Sequence, residues 1–295
     1  MSDVLALTVL SETDWTARQR AHERRVDHLV SGHLDRRRRG TKHPVEDFLF
    51  TYYSFRPAQL RRWHPGAGVT LAGNAPHAGW RGYVRTDRGV TIDPRFIEQR
   101  AEAIGWVRDL LAATAARPAF AGCFGLHEWA MVYRADAVRH EAWPLRLAQS
   151  GTDAVVERHQ IRCSHFDAFR FFTGDAVPRN ALQPSRDRQL ELEQPGCLHA
   201  NMDLYKWAYK LSPIVQSELV ADAFRLARDI RELDMRASPY DLTDLGYEPI
   251  RIETLEGKRA YAAAQRSFAE RSAVLRARLI NKCNWLLAES PQGQT

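Results

Sequence analysis

Residues 212–237 read SPIVQSELVADAFRLARDIRELDMRA. Ser-Pro at the front suits a helix start, because proline fits the first turn, where its missing N–H costs nothing. The helical pattern then runs unbroken until Pro239 stops it. A stretch this long without a breaker predicts a helix, and two others support the same reading. Asp93-Pro94 offers a cap and a first turn for RFIEQRAEAIGWVRDLLAATAA, with Phe96, Ile97, Ile104, Val107, Leu110 and Leu111 as its buried stripe. Residues 258–287, KRAYAAAQRSFAERSAVLRARLINKCNWLL, form a long amphipathic helix near the C-terminus.

Outward from these helices the pattern changes. Residues 12–35 carry Trp15, Val26, Leu29 and Val30 at helical spacing, with charges elsewhere, and predict a helix with a polar outer face. In HPVEDFLFTYYSFRP (43–57), Pro44 suits a first helical turn and Pro57 closes an aromatic cluster that reads as core, although aromatic faces can also stack on bases. Residues 64–93 are dense in glycine and proline, which predicts an irregular segment or a small hairpin. A loop of that length is often functional. Its PGAG resembles the turn of a helix-hairpin-helix, but TLAGNAP cannot supply the second helix. Residues 153–163, DAVVERHQIRC, repeat β-branched side chains and read as a strand.

There are no repeats and no βαβ alternation. The expectation is a mainly α fold: one globular helical domain over residues 1–295, with a minor β element and a long Gly/Pro-rich loop. It divides into a helical part at 12–63, the irregular segment at 64–93, a main helical body at 94–287 that holds the site, and a short flexible tail at 288–295.

Hydrophobic residues make up 44% of the chain and charged residues 26%, which excludes wholesale disorder. No run approaches the roughly 20 apolar residues of a membrane span. The N-terminus has a short apolar run without a basic leader, so no signal peptide and a cytoplasmic location are expected. Cys123, Cys163, Cys197 and Cys283 form no CxxC pair and read as free thiols. The net charge of +6 admits a polyanionic partner. Arg36, Arg37, Arg38 and Arg39 form the densest basic run, and they read as a solvated helix end or as phosphate contacts.

Three segments combine histidine or carboxylate with aromatic residues: GLHEWAMVYR (125–134), RCSHFDAFRFF (162–172) and PGCLHANMDLYKWAYKL (195–211). Pro195-Gly196 breaks the chain, and a helix after it would put His199 and Asp203 on one face, one turn apart. His165 and Asp167 point the same way only if their segment is extended. Each segment alone is explained by a core histidine hydrogen-bonded to backbone. Together they place Glu128, Asp167 and Asp203 in core-like sequence. Buried carboxylates need partners, so a shared polar pocket is expected.

At HPVEDFLFTYYSFRPAQLRRWHPG, HEWAMVY, HFDAFRFFT and EQPGCLHANMDLYKWAYKL the chain resembles a bacterial, largely actinobacterial, family labelled 3-methyladenine DNA glycosylase. The resemblance covers nearly the whole chain, without a clear helix-hairpin-helix motif. It implies a DNA N-glycosylase, needing no cofactor, that excises a damaged or modified base. Asp203 and Asp167 would stabilise the sugar cation or activate water. Glu128, His199 and His165 complete the catalytic set. Trp129, Tyr133, Phe166, Phe169, Tyr205, Lys206, Trp207 and Arg170 would hold the flipped base. Arg36 to Arg39, Arg61 and Arg62 would hold phosphates. Two alternatives stand beside it. A metal-dependent enzyme would use iron, manganese or zinc on His127, Glu128, His165, Asp167, His199 and Asp203. A non-catalytic nucleic-acid-binding protein would explain the charge but not the buried carboxylates.

Overall fold

A computed structural model describes residues 8–135 and 142–288. The described residues open with strand β1 (Thr8–Leu10) and the long helix α1 (Glu12–Arg39), which Ser11 caps by accepting from the Asp14 N–H. Two short helices follow, α2 (Phe48–Tyr52) and α3 (Pro57–Arg61). Strands β2 (Val69–Leu71), β3 (Tyr83–Thr86) and β4 (Gly89–Ile92) complete a sheet ordered β1-β2-β4-β3. β1 runs parallel to β2, and β3 and β4 form an antiparallel hairpin with Thr86 opposite Gly89. The Gly/Pro-rich segment at 64–93 thus holds β2 and a small hairpin, β3–β4, one of the two readings expected of it, and the rest is turn and irregular chain. Its glycines and prolines occupy the turns between short strands.

The remaining helices are α4 (Pro94–Glu98), α5 (Ala101–Ala116), α6 (Leu126–Ala130), α7 (Ala148–Glu157), α8 (Phe166–Phe169), α9 (Gln189–Leu192), α10 (Leu198–Lys210), α11 (Ser217–Arg236) and α12 (Leu255–Ala288). The mainly α class is as expected, with twelve α-helices and the small sheet among the described residues. Three boundaries differ from the sequence reading. Residues 153–157 are helix rather than strand, because Val155 and Val156 are buried on the core face of α7 and packing outweighs their β preference. The helix expected from Pro94 breaks at Gln99–Arg100, where the Arg100 guanidinium turns to the Lys210 carbonyl. The helix expected from Ser212 begins at Ser217. Residues 212–216 instead pin the chain near Ala67, which donates to the Ile214 carbonyl at 2.8 Å. Of the predicted tail, Ala288 ends α12, and residues 289–295 lie outside the described ones.

α10 lies at the centre. Eleven of its residues are buried, and it packs mainly on α11 and α12. A short helix this enclosed leaves its polar residues no access to solvent. Its His199, Asn201 and Asp203 must find partners inside the protein. Two glycines let the chain reach that position. Gly196, just before α10, passes so close to Phe120 that a Cβ would lie 2.6 Å from its carbonyl oxygen. Gly125 takes φ +69° to start α6 against Ala237 and Tyr261.

Candidate functional site

Four elements bring the polar residues together. α6 supplies His127 and Glu128, and all five of its residues are buried. The start of α8 supplies His165 and Asp167. α10 supplies His199, Asp203 and Lys206. α11 supplies Arg231 and Asp234, one turn apart. The His127 and His199 rings meet edge-on with centroids 4.5 Å apart, and His165 lies 5.5 Å from His199 on its other side.

The residues divide into two linked networks. The first is a charge cluster around Asp203. Lys206 Nζ donates to Asp203 Oδ2 at 2.5 Å and to Asp167 Oδ2 at 3.0 Å. Tyr53 donates its hydroxyl to Asp203 Oδ1 at 2.9 Å. His165 Nε2 sits 3.3 Å from Asp203 and 3.5 Å from Glu193, off line for a hydrogen bond to either. Burial alone would raise the Asp203 pKa, but Lys206 and His165 outweigh it and hold the carboxyl far below its ordinary range. Burial also opposes charge on His165, yet Glu193 and Asp203 raise its pKa. Glu193 itself is pushed up by burial.

The second network surrounds His127. Its Nε2 lies 2.9 Å from Asp234 Oδ1, and both atoms are buried without an aligned hydrogen bond. Burial works against a charged His127, but Asp234 prevails and raises its pKa well above the ordinary value. His199 goes the other way, lowered by burial and by His127. The Cys123 thiol approaches His127 Nδ1 at 3.7 Å. Arg231 Nη1 donates to Glu128 Oε1 at 2.7 Å and to Asp234 Oδ2 at 3.3 Å. Ligand atoms of His127, His199 and Asp234 all fall within 4.8 Å of one another.

A cavity of about 210 Å³ opens beside this second network. Glu128, Asp167, His199 and Arg231 supply its polar lining, and Phe48, Tyr52 and Phe171 its aromatic walls. Tyr52 and Asp167 also border a larger cleft of about 860 Å³.

His199, Asp203, His165, Asp167 and Glu128 therefore do converge, as the sequence led us to expect. Their roles differ from expectation. Asp203 is only 1% exposed, is held by Tyr53 and Lys206, and lines neither cavity. Of the six proposed metal ligands, only His127 and His199 meet in a ligand-like group. Glu128, His165, Asp167 and Asp203 are engaged elsewhere, and Asp234 takes the third place.

Most of the expected aromatic walls are core. Trp129 donates its indole N–H to the Ala237 carbonyl, and Tyr133 donates to Glu157. Tyr205 packs on Tyr53 and Phe224. Phe169 stacks on Phe172, and Phe166 carries Arg186 over its ring. Trp207, Lys206 and Arg170 do line the larger cleft. The expected phosphate arginines lie outside both cavities. Arg36 pairs with Asp47, Arg38 with Asp35, and Arg61 with Asp27, while Arg62 stands over Trp80. Arg37 and Arg39 are exposed on the last turn of α1.

Asp234 and Arg231 lie in the alternating charges of RDIRELDMR and were not among the expected site residues. A signal existed: Phe224, Ala227, Arg231 and Asp234 follow helical spacing on one buried stripe. Among the described residues no helix is long and apolar enough to cross a membrane. No protein-family model, no curated protein and no solved structure matches this chain.

Proposed function

We propose that the chain is a metal-dependent enzyme whose His127, His199 and Asp234 hold one divalent cation, iron, manganese or zinc, beside the 210 Å³ cavity. One observation carries this reading. His127 Nε2 and Asp234 Oδ1 are fully buried, 2.9 Å apart, and lack an aligned hydrogen bond. Buried polar atoms in that state call for a partner. Ligand atoms about 2.1 Å from a tetrahedral metal are separated by roughly 3.3 Å, so small side-chain rotations suffice. His199 has no hydrogen bond to either ring nitrogen among the described residues and completes a two-histidine, one-carboxylate set. The surroundings fit as well. Arg231 holds the second oxygen of Asp234, and Cys123 meets the far nitrogen of His127.

A cation there would take the place of a proton on His127 and would lower the pKa of a bound water. His199 lines the cavity, so the open coordination position would face a substrate placed between Phe48, Tyr52 and Phe171. The glycosylase reading fares less well. It needs a carboxylate free to approach a sugar carbon, and Asp203 is locked among Lys206, Tyr53 and His165, while Asp167, which lines both cavities, is paired with Lys206 and Arg170.

Metal analysis of the purified chain, as isolated and after reloading with iron, manganese or zinc, tests the proposal. We expect about one equivalent, lost in His199→Ala and Asp234→Asn but kept in Cys283→Ser. Binding unaffected by the first two variants overturns it. Abasic-site formation on modified duplex DNA by metal-free protein, abolished by Asp203→Asn, also overturns it and restores the glycosylase.

A further inference from the structure

The 860 Å³ cleft has a chemistry of its own. Five cations line it: Arg100, Arg170, Arg186, Lys206 and Lys210. Asp167 takes up two of them, at 3.2 Å from Arg170 and 3.0 Å from Lys206. Arg100, Arg186 and Lys210 form no ion pair among the described residues. The other acids of the cleft, Glu102 and Asp187, are exposed and likewise unpaired. The cations crowd one another. The Lys210 pKa is lowered by burial and then by Lys206 and Arg186, and that of Arg100 by burial and Arg81. Unpaired like charges held together are stabilised by an anion that lies among them.

The same cleft has two indoles in its wall, the half-buried Trp106 and, behind it, the buried Trp207. Trp106 and Trp207 meet with centroids 5.1 Å apart at 62°. Lys206 and Lys210 stand 4.5 and 5.5 Å from the Trp207 ring centre. Among the described residues the buried indole N–H of Trp207 has no acceptor. Cations for a phosphate next to an indole for a planar ring form the pairing that a nucleotide requires. A volume of 860 Å³ holds a molecule of that size.

We infer that this cleft binds a nucleotide, either free or at the end of a single strand, with its phosphate among Arg100, Arg186 and Lys210 and its base against Trp106. The cleft meets the smaller cavity at Tyr52 and Asp167, so a ligand anchored here reaches toward His199. The inference deepens the metal reading by naming a substrate class. It rests on that reading only for what happens at the reaching end.

Calorimetric titration of the full chain tests it with dAMP, deoxyadenosine and a short single-stranded oligonucleotide. We expect dAMP to bind and deoxyadenosine to bind at least about tenfold more weakly. The double variant Arg186→Ala, Lys210→Ala alters exposed side chains, so it should fold, and it should weaken dAMP about tenfold or more. Trp106→Leu should weaken dAMP and deoxyadenosine alike, by roughly fivefold. An oligonucleotide that binds about tenfold tighter than dAMP identifies a strand, and equal affinity identifies a free nucleotide. Equal affinity for dAMP and deoxyadenosine overturns the inference, as does an unchanged double variant or no binding of any of the three. Metal content is measured on the same samples. Loss of metal in His199→Ala with dAMP binding intact separates this site from the metal site.

Discussion

Two groups of buried histidines lie in this molecule, and they have different surroundings. His22, His64 and His77 sit around the sheet. His22 Nε2 meets the Leu60 carbonyl at 2.9 Å, His77 Nε2 the Trp63 carbonyl at 3.1 Å, and His64 Nδ1 the Tyr83 hydroxyl at 2.9 Å. Trp80 packs on both His64 and His77. Burial lowers the pKa of all three, so they are neutral at pH 7. A neutral imidazole with one N–H donated and the other nitrogen left as a bare lone pair is a finished structural unit. His127, His165 and His199 are surrounded instead by Asp234, Glu193 and Asp203, and His127 Nε2 and both nitrogens of His165 are buried without an aligned partner. Burial and residue type are shared by the two groups. His22 Nδ1 and His77 Nδ1 are also buried without a partner, so what separates the groups is that carboxylates face the unaligned nitrogens of His127 and His165 and, among the described residues, none faces those of the sheet histidines.

The largest break expected in the second group comes from Arg231. It is 1% exposed and serves both Glu128 and Asp234. Arg231→Met leaves two buried carboxylates without their cation and should cost about 3–5 kcal/mol in denaturant unfolding. A cost below about 1 kcal/mol would mean that the network relaxes without it, and the contrast between the groups would weaken. Metal gives the next largest effect. At a free concentration about 100 times Kd, a cation should add roughly 2.7 kcal/mol to wild-type stability and nothing to His199→Ala. In the sheet group, His77→Leu removes the donor from the buried Trp63 carbonyl and should cost about 2 kcal/mol. Metal stabilisation should survive that change in full.

Acid sharpens the comparison further. Burial lowers the His64 pKa from 6.5 to about 3, ahead of repulsion from His77, Arg62 and His22. The unfolded chain takes up this proton as pH falls below 6.5, and the folded chain refuses it until about 3. The contribution is therefore fully present above pH 6.5 and is lost progressively as pH falls toward 3. His64→Gln keeps a partner for Tyr83 but does not titrate. Melting temperatures recorded across that range should fall less steeply in this variant than in wild type. Equal slopes would place the acid sensitivity in other groups.

The contrast also explains what could be read from the chain. His199 and Asp203 were found from their spacing, because a helix after Pro195-Gly196 fixes their common face. The long helices were found from their period. The metal group was only half legible, since Asp234 lies on a helix whose outer face is charged, and its burial is set by α6 and α10 packing from other parts of the chain. The aromatic walls were misread for a similar reason. Trp129 and Tyr205 have the same character as Trp207, and only tertiary packing decides which ring meets a cavity. The strand reading of 153–163 failed because two valines carried the local preference, whereas the core took them on a helix.

The smallest effect concerns the arginine run that looked most like a phosphate site. Arg37, Arg38 and Arg39 lie on the last turn of α1, where cations suit the negative end of the helix dipole, and Arg38 already pairs with Asp35. Exposed pairs of this kind contribute little. The triple variant Arg37→Ala, Arg38→Ala, Arg39→Ala should change stability by less than about 1 kcal/mol. It should also leave dAMP affinity unchanged, unlike the Arg186→Ala, Lys210→Ala variant. The α1 variant removes three positive charges and the cleft variant two, so a larger effect of the cleft variant reports position and not net charge. If the α1 variant weakened nucleotide binding and the cleft variant did not, the cations near Trp207 would be ordinary surface residues and the phosphate contacts would belong to α1.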